Sequence, residues 1–479
     1  MTTTRFAARC PQAPHGPALN GSSPNVHRTC RAVLAGAFLF AGATLVGCSS
    51  GSEPSDVAGR YILSISDADM PATAIFDGAL SPGAGTDAVG QDSLTTIALP
   101  IADKKDAEYV TAYAQILGVS NSVIGPPQAV AVTRDGMRAY VVESRGPAPA
   151  GATTTDELPI GRKLTAINLS DPMKPVVIGT VDVGPEPMGV DVDPSGEVVA
   201  VVTTQDRQQL VLVTAHSGGM GEPLPFPIMG LDTDDNVMAT SVQWHPSGKY
   251  LAVTLAMRNQ VAFFKFTRDP DGSMALAPWG APVAVGRFPY SGRFTPDGTF
   301  YIAANMEWDM NIERSFIQSP AGHLSVVRFD AEGAPGNVGG SSSAKHELVS
   351  TAPVGVNPEG LAISPDGSLV VTSNFQRTFL PEDDARVTRD GSLSLLKLNS
   401  RSGELTPVGE YPISGMPAGL SFDAKGGFVV VTQFRSFDAR AVDGMLVFWK
   451  VRGGGAPSLE KAKFTVGVGK GPHGVLIIR

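Results

Sequence analysis

Cysteine is nearly absent from this sequence of 479 residues, and the three that occur, Cys10, Cys30 and Cys48, all lie before residue 49. The residues after Cys48 therefore cannot form a disulfide framework, a c-type haem attachment motif or a cysteine-ligated zinc site. A Gly-x-Ser-x-Gly nucleophile elbow is also missing. These absences predict a protein without a cofactor. A redox function would need haem or quinone, and the sequence has no motif for attaching haem.

Acidic residues are missing from positions 1–47, where four of the 37 basic residues occur. The 33 basic residues beyond this segment face 46 acidic residues, which gives a formal charge of −13. A body with this charge repels phosphates, so we expect no nucleic-acid partner.

A calcium loop is suggested by the spacing of Asp232, Asp234 and Asn236. Val237 and Gln243, however, stand where such a loop needs a glycine and a glutamate. We therefore predict a polar turn at this place and no metal site.

A signal peptide is predicted near the start. The basic stretch His27–Arg31 precedes the apolar run Ala32–Val46, which is short for a membrane span and has the length of a signal-peptide core. The run ends in Leu45-Val-Gly-Cys48, which resembles the lipobox of bacterial lipoproteins. An ordinary signal peptide that contains a cysteine is the alternative.

The lipobox resemblance implies cleavage before Cys48 and a diacylglycerol on its sulfur. We therefore predict a lipoprotein signal peptide over residues 1–47 and a flexible polar tether over 48–58. Ser49, rather than an aspartate, follows the cysteine, and in Gram-negative lipoproteins this implies the outer membrane. The predicted location is the bacterial cell envelope, with the membrane as a partner through the lipid anchor.

Proline and glycine are abundant, with 38 and 54 copies, and they mark an internal repeat. Each copy has an opening proline or alanine, alternating apolar residues, a Pro-Asp-Gly-like turn and a β-branched run. The copies are Pro127–Gly136, Pro187–Gly196, Ala239–Gly248, Pro289–Gly298, Pro358–Gly367, Pro417–Gly426 and a truncated copy at Pro472–Arg479.

The interval between copies is long enough for four short strands, which is one blade of a β-propeller. The last copy supplies only a first strand, and we predict that Arg60–Ser66, Ala72–Asp77 and Ser93–Leu99 supply the other three. The predicted fold is therefore all-β, a seven-bladed β-propeller over residues 59–479 with a split closing blade.

The segment Pro358-Glu-Gly-Leu-Ala-Ile-Ser-Pro-Asp-Gly-Ser-Leu-Val-Val-Thr-Ser-Asn374 resembles the YVTN-type repeat. It is also similar to repeats of the lactonase-type seven-bladed propellers, which include 6-phosphogluconolactonase-like and carboxymuconate-cyclase-like enzymes. The resemblance implies this architecture for most of residues 57–479. The Arg-His pair of the lactonase-like enzymes is missing, and Glu143 and Asn305-Met-Glu307 only approximate their Asn-Glu, so enzymatic activity stays open.

Two residues that follow an opening proline, Glu359 and His473, occupy the same repeat position in blades two apart. We predict that they lie at the central channel, where they could form a catalytic acid–base pair. The alternative is a structural histidine that only makes hydrogen bonds.

Arginines recur 18 to 20 residues after five of the openings. We predict that they form a cationic rim that binds an anion at the channel mouth. The alternative is that each arginine pairs with a nearby acid or is solvated. The five residues are Arg145, Arg207, Arg258, Arg377 and Arg435.

Aromatic residues occur in the long loops that follow several second strands, where they either wall a pocket or pack down as covers. They are Trp308, Phe316, Phe375, Phe379 and Phe434. Together these features predict a lipid-anchored propeller that binds a partner protein or an anionic small molecule at the channel mouth. The alternative is a lactonase-like hydrolase or cyclising enzyme acting on a carboxylated ring.

The lipid anchor is tested by Cys48→Ala. We expect this variant either to accumulate unprocessed or to leave the membrane fraction, because the acceptor sulfur is gone. Cell fractionation with mass measurement of the mature chain checks the result, and Cys30→Ala is the matched control that keeps the anchor. A fully processed Cys48→Ala protein that stays with membranes would place the anchor elsewhere.

Overall fold

The computed structural model describes residues 56–86, 90–101, 113–119, 125–204, 208–228, 237–332, 342–437 and 444–479. All of them belong to one compact unit, Ser52–Arg479. Cys48, Arg207 and the Asp232–Asn236 segment lie outside the described residues. No helix in the described part of the chain is both long and apolar enough to span a membrane.

The described residues form seven antiparallel sheets that are arranged as the blades of a ring, so the predicted seven-bladed β-propeller is confirmed. The strands are β1 Tyr61–Ser66, β2 Ser93–Ala98, β3 Tyr113–Leu117, β4 Val130–Val132, β5 Arg138–Val142, β6 Lys163–Asn168, β7 Val176–Asp182, β8 Gly189–Val192, β9 Val198–Val202, β10 Leu210–His216, β11 Gly219–Met220, β12 Leu224–Phe226, β13 Ala239–Trp244, β14 Tyr250–Leu255, β15 Gln260–Arg268, β16 Met274–Pro278, β17 Val283–Ala284, β18 Pro289–Phe294, β19 Phe300–Asn305, β20 Ala321–Arg328, β21 Glu347–Val356, β22 Pro358–Ile363, β23 Leu369–Asn374, β24 Asp390–Leu398, β25 Leu405–Ser414, β26 Met416–Phe422, β27 Phe428–Arg435, β28 Gly444–Arg452, β29 Ser458–Val468 and β30 Pro472–Ile478.

Blades 1 to 6 each follow one repeat copy, with the first strand innermost. They comprise β4–β7, β8–β12, β13–β17, β18–β21, β22–β25 and β26–β29. Two short α-helices interrupt the strands, α1 at Ala74–Asp77 and α2 at Ser315–Gln318. Apolar side chains from facing sheets fill the space between blades, as where Tyr61, Tyr140 and Val201 of three successive blades share one core cluster.

The tight turn after each first strand explains why each complete copy of the repeat ends in glycine. The turn glycine of all six complete copies has φ between 67° and 76°, the left-handed region that favours glycine. Its amide donates a hydrogen bond to the carbonyl of the residue directly after the first strand, as Gly136 N–H does to the Thr133 carbonyl at 2.7 Å. The Pro-Asp-Gly signature is thus a requirement of turn geometry.

The closing blade is split as predicted, with the order β30, β1, β2, β3 from the channel outward. The last strand pairs with the first in register, with Leu63 opposite Leu476. One predicted strand is wrong, because Ala72–Asp77 contains α1 and the outer strand is β3. The Ala74 amide bonds to the Pro71 carbonyl, and Gly78 closes the turn with a φ of 69°, so this segment leaves the sheet.

Two residues of the predicted tether, Val57 and Ala58, are packed against the propeller. Val57 is buried in the core between blades 6 and 7. The Ala58 amide donates to Asp423 Oδ2 at 2.9 Å. These two residues therefore belong to the packed propeller.

Ring closure is tested by deleting Pro472–Arg479. Val475, Ile477 and Ile478 are buried, and losing their burial costs roughly 5 kcal/mol or more of unfolding free energy. The unpaired edge of β1 would also favour association. We expect a lower melting temperature and aggregation on size-exclusion chromatography, whereas removal of Arg479 alone should change neither. An unchanged, monomeric deletion variant would contradict the contribution of this strand.

Candidate functional site

The mouth of the central channel is ringed by the residue that follows each opening position. First strands begin on the same face on which second strands end, because the two are antiparallel. All seven side chains of this mouth ring are buried, with at most 6% of their surface exposed. The ring consists of Gln128, Met188, Thr240, Tyr290, Glu359, Ala418 and His473.

Glu359 and His473, the predicted acid–base pair, meet within the mouth ring. His473 Nε2 lies 3.4 Å from Glu359 Oε1, and their side chains are 0% and 4% exposed. Glu359 Oε2 and His473 Nδ1 are buried and have no hydrogen-bond partner within the part of the chain that the structure describes. The pair thus has one unused oxygen and one unused nitrogen, and its catalytic role stays a prediction.

The strands hold this pair in place through bonds between neighbouring blades. Ser291 Oγ of blade 4 donates to the Glu359 carbonyl at 2.7 Å. Thr432 Oγ1 of blade 6 donates to the His473 carbonyl at 3.4 Å. Since hydroxyls from adjacent blades fix both backbones, the two side chains keep their separation across the ring.

A cavity of about 210 Å³ lies above Glu359, and we call it the mouth cavity. Its described lining side chains are apolar apart from Glu359, the hydroxyls of Tyr290 and Thr155 and the indole N–H of Trp308. The lining residues are Met70, Ala74, Ile75, Thr155, Met238, Phe288, Tyr290, Met306, Trp308, Glu359 and Phe375. No basic side chain is among them.

Three aromatic rings form one wall of the mouth cavity. The rings of Phe288 and Trp308 stack with centroids 4.8 Å apart and an interplanar angle of 25°. Phe288 and Tyr290 lie 6.1 Å apart and nearly parallel. Trp308 Nε1 donates to Asn357 Oδ1 at 2.8 Å, so the wall is fixed before any ligand arrives.

Of the three residues in this wall, Tyr290 is the one that interacts electrostatically with Glu359. Burial raises its pKa well above the usual value for tyrosine, and the nearby Glu359 carboxylate raises it further. The phenol therefore stays protonated and presents an O–H at neutral pH. Sequence reasoning did not single out Tyr290, although it shares the repeat position of Glu359 and His473.

A segment between β1 and β2 closes the mouth cavity from above, and we call residues 67–86 the N-terminal cover. Met70, Ala74 and Ile75 of the cover line the cavity. The Leu80 amide bonds to the Thr153 carbonyl of blade 1 at 2.9 Å. On the opposite side, Arg314 of blade 4 lies 4.3 Å from the Phe76 ring centroid and donates to the Phe76 carbonyl.

The channel is crossed just below the mouth and contains charged groups farther down. Gln128 Nε2 of blade 1 donates to the Gly292 carbonyl of blade 4 at 3.0 Å. Deeper, burial raises the pKa of Asp191 to about 6, and burial lowers the pKa of Arg293. Asp191 also accepts the Trp244 amide at 2.7 Å. These groups connect blades through the channel and lie outside the lining of the mouth cavity.

Of the predicted arginines, three have contacts that occupy their guanidinium groups. Arg145 pairs with Glu186 at 2.5 Å. Arg377 donates to the Ile317 and Ser319 carbonyls in the loop of blade 4. Arg435 donates to the Thr378 and Leu380 carbonyls in the loop of blade 5, at 2.6 and 2.8 Å.

Arg377 and Arg435 therefore fasten the loop of the preceding blade, which favours the structural alternative for both. Arg258 ends a 3₁₀ turn, Ala256–Arg258, directly after β14. Arg435 and Lys470 line a second cavity of about 300 Å³ between the cover and blade 6, together with Asp67. Binding of an anion by the arginines stays a prediction.

The five loop aromatics gather in one cluster with the cover, and both predicted roles occur. Trp308 and Phe375 line the mouth cavity. Phe434 lines the second cavity. Phe316 and Phe379 pack together with ring centroids 5.8 Å apart and cover the others.

Three carboxylates of the cover region approach each other in a way the sequence pattern did not predict. Asp67, Asp69 and Asp92 place oxygens within 4.8 Å of one another. Each also accepts a hydrogen bond from a backbone amide: Asp67 from Met70, Asp69 from Ala148 and Asp92 from Ala68. These bonds give the carboxylates a role in shaping the cover loop.

Comparison with solved structures supports the architecture. The periplasmic gluconolactonase of Pseudomonas aeruginosa aligns with a TM-score of 0.55 and 16% identity over 88% of this chain and 99% of its own. A protein described as a possible 6-phosphogluconolactonase of Bacteroides uniformis aligns with a TM-score of 0.54 and 14% identity over 87% and 99%. No protein-family description matches the sequence, and no curated protein matches it.

These identities establish the fold alone. The predicted resemblance to lactonase-type seven-bladed propellers is confirmed at that level, since such proteins are among the structural neighbours.

The loop-fastening role of Arg435 is tested by Arg435→Lys. Lysine keeps the charge but cannot bridge two carbonyls while stacking on Phe437, whose ring centroid lies 4.2 Å from the guanidinium. We expect the free energy of unfolding to fall by about 1–2 kcal/mol, as measured by denaturant titration. Arg162→Lys, at an exposed ion pair with Asp182, should cost less than about 0.5 kcal/mol. Full stability with loss of carboxylate binding would instead support the cationic rim.

Proposed function

We propose that this protein is a binding protein whose small-molecule ligand occupies the mouth cavity. The proposal rests on one observation: a partly enclosed apolar cavity at the channel mouth contains a buried carboxylate, Glu359, with an oxygen that has no partner in the described residues. Apolar cavities with a few convergent polar groups are the usual form of small-molecule sites. A buried carboxylate oxygen without a partner is costly unless a ligand, a water molecule or a proton satisfies it.

The cover supports binding over a purely structural role for this face. It is held on one side by backbone bonds to blade 1 and on the other by Arg314. It closes over a space that its own side chains do not fill. Binding of a partner protein, the other part of the sequence prediction, has no comparable observation in its favour.

The proposed place of action is the bacterial cell envelope, with the chain held by a lipid at Cys48. The support is the order of basic stretch, apolar run and lipobox in the sequence. A structural neighbour is described as periplasmic, which fits an extracytoplasmic propeller.

Lactone hydrolysis is the second candidate function, and it is supported by the contact between Glu359 and His473. A carboxylate and an imidazole 3.4 Å apart can hold and transfer a proton. Two structural neighbours carry lactonase descriptions. The missing Arg-His pair leaves the hydrolase without the residues through which the resemblance implies catalysis.

Filling the mouth cavity tests the binding proposal. Ala74→Trp introduces an indole from the cover into this cavity, and we expect it to abolish binding of any compound that raises the melting temperature of the wild-type protein. Screening a metabolite panel by thermal shift, followed by calorimetric titration, measures this. Ala148→Trp is the matched control, since Ala148 lines a different cavity of about 280 Å³ beneath the cover.

Two outcomes would contradict the binding proposal. A ligand whose affinity is unchanged in Ala74→Trp binds elsewhere. Turnover of a lactone that is lost in both Glu359→Gln and His473→Gln would establish the hydrolase in place of a binding protein.

A further inference from the structure

The mouth cavity presents a single sign of charge to a ligand. Glu359 and Tyr290 are the ionisable residues among its lining side chains, and the tyrosine stays neutral. Glu359 lies beside Tyr290 in this lining, so a ligand in the cavity would be close to its carboxyl group. No basic side chain is among the described residues of this lining, so the cavity wall supplies no counter-ion to an anionic ligand and disfavours anions.

One oxygen of the Glu359 carboxyl group is left unpaired within the described part of the chain. Glu359 Oε1 faces His473 Nε2, and Oε2 has no partner among the described residues. His473 is fully buried and lies outside the cavity lining. The cavity therefore offers an electrostatic partner for a positive group but few acceptors for N–H donors.

The remaining wall suits a cation that carries methyl groups. Phe288, Tyr290, Trp308 and Phe375 supply four aromatic rings, and the negative faces of such rings attract cations. Met70, Met238 and Met306 add polarizable thioether side chains. A primary ammonium or a guanidinium would bury N–H donors that this wall cannot satisfy, whereas a methylated ammonium has no such donors.

An inorganic cation fits the same wall poorly. Magnesium and calcium prefer six or more oxygen ligands. The lining supplies two carboxylate oxygens, one of which faces His473, together with two hydroxyls. A cation that accompanies the Glu359 carboxylate in this cavity is therefore expected to be an organic ion with an apolar surface.

From these observations we infer that the ligand of the mouth cavity is a small methylated ammonium compound, with Glu359 as its counter-ion and the Phe288, Tyr290 and Trp308 rings as its wall. The inference rests on the proposed binding function and specifies the ligand class. It concerns the mouth cavity alone, and the anion site expected at the arginines stays a separate prediction, because Arg145, Arg258, Arg377 and Arg435 are not among the residues that line this cavity.

The experiment compares choline with 3,3-dimethyl-1-butanol, in which carbon replaces the charged nitrogen at nearly the same shape. Tetramethylammonium is the minimal probe. We expect calorimetric titration of the purified full-length protein to show choline and tetramethylammonium binding at least about ten-fold more tightly than the neutral alcohol.

Variants assign the effect to the cavity. Glu359→Gln keeps the shape of the side chain but removes the charge, and it should weaken choline binding at least about ten-fold while leaving the alcohol unaffected. Trp308→Leu removes one aromatic side chain from the cavity wall and leaves the seven residues of the mouth ring unchanged. This variant should weaken choline binding as well. Glu382→Gln, at an exposed ion pair with Arg389 on the same face, is the matched control and should bind like the wild type.

The outcomes separate this inference from the proposed function. Equal binding of choline and the alcohol, or unchanged choline binding in Glu359→Gln, would overturn the cationic ligand. If choline fails but another compound binds in an Ala74→Trp-sensitive manner, the ligand class is wrong and the binding function stands. If no compound of either panel binds, both proposals fall.

Discussion

Ring closure is the constraint on which the candidate site depends. The pairing of β30 with β1 fixes the seventh blade, and only then do the seven first strands converge on one channel. Residues at one repeat position, separated by 114 positions in the case of Glu359 and His473, become neighbours. The polar pair, its aromatic wall and the cover all follow from this convergence, because each side chain is placed by the start or end of a strand that points at the mouth.

Backbone strain contributes to the shape of the mouth. Four residues that directly precede an opening position have left-handed backbone conformations although none is glycine: Glu186, Met238, Phe288 and Asn357. Such a conformation costs roughly 1–2 kcal/mol at each residue. Phe288 is stabilised in this conformation by a hydrogen bond from its backbone amide to Asn259 Oδ1 at 2.9 Å. Met238 and Phe288 both line the cavity, so strained backbone and candidate site coincide, as is common at functional sites.

The architecture could be predicted from the sequence because its determinants are local. In the six complete copies the opening proline or alanine, the alternating apolar residues and the left-handed turn glycine lie within ten residues, so the repeat is visible without any contact information. Glu359 and His473 could be paired for the same reason, since equal repeat positions meet at the channel. The cover could not be predicted, because four residues of short helix at Ala74–Asp77 carry too few positions for a helical period to show.

The arginines illustrate the limit of spacing as a guide to chemistry. Their recurrence at nearly equal offsets is real, but spacing does not reveal which carbonyl or carboxylate each guanidinium reaches. Arg377 and Arg435 find theirs in loops 55 to 60 residues earlier in the chain. Likewise, Tyr290 becomes a candidate site residue only because it lies beside Glu359 of the next blade in the cavity lining, and this contact is not visible in the sequence.

The split blade contributes to the cavity from both of its parts. The cover follows β1, and His473, which contacts the cavity carboxylate, lies on β30. A ligand in the mouth cavity therefore binds the closed ring and has no equivalent site on an opened one. By mass action, a ligand at one hundred times its dissociation constant would add about 2.7 kcal/mol to the stability of closure. Occupancy of the mouth by such a ligand and integrity of the ring would thus be thermodynamically linked, and ligand concentration would set the fraction of molecules whose ring is closed.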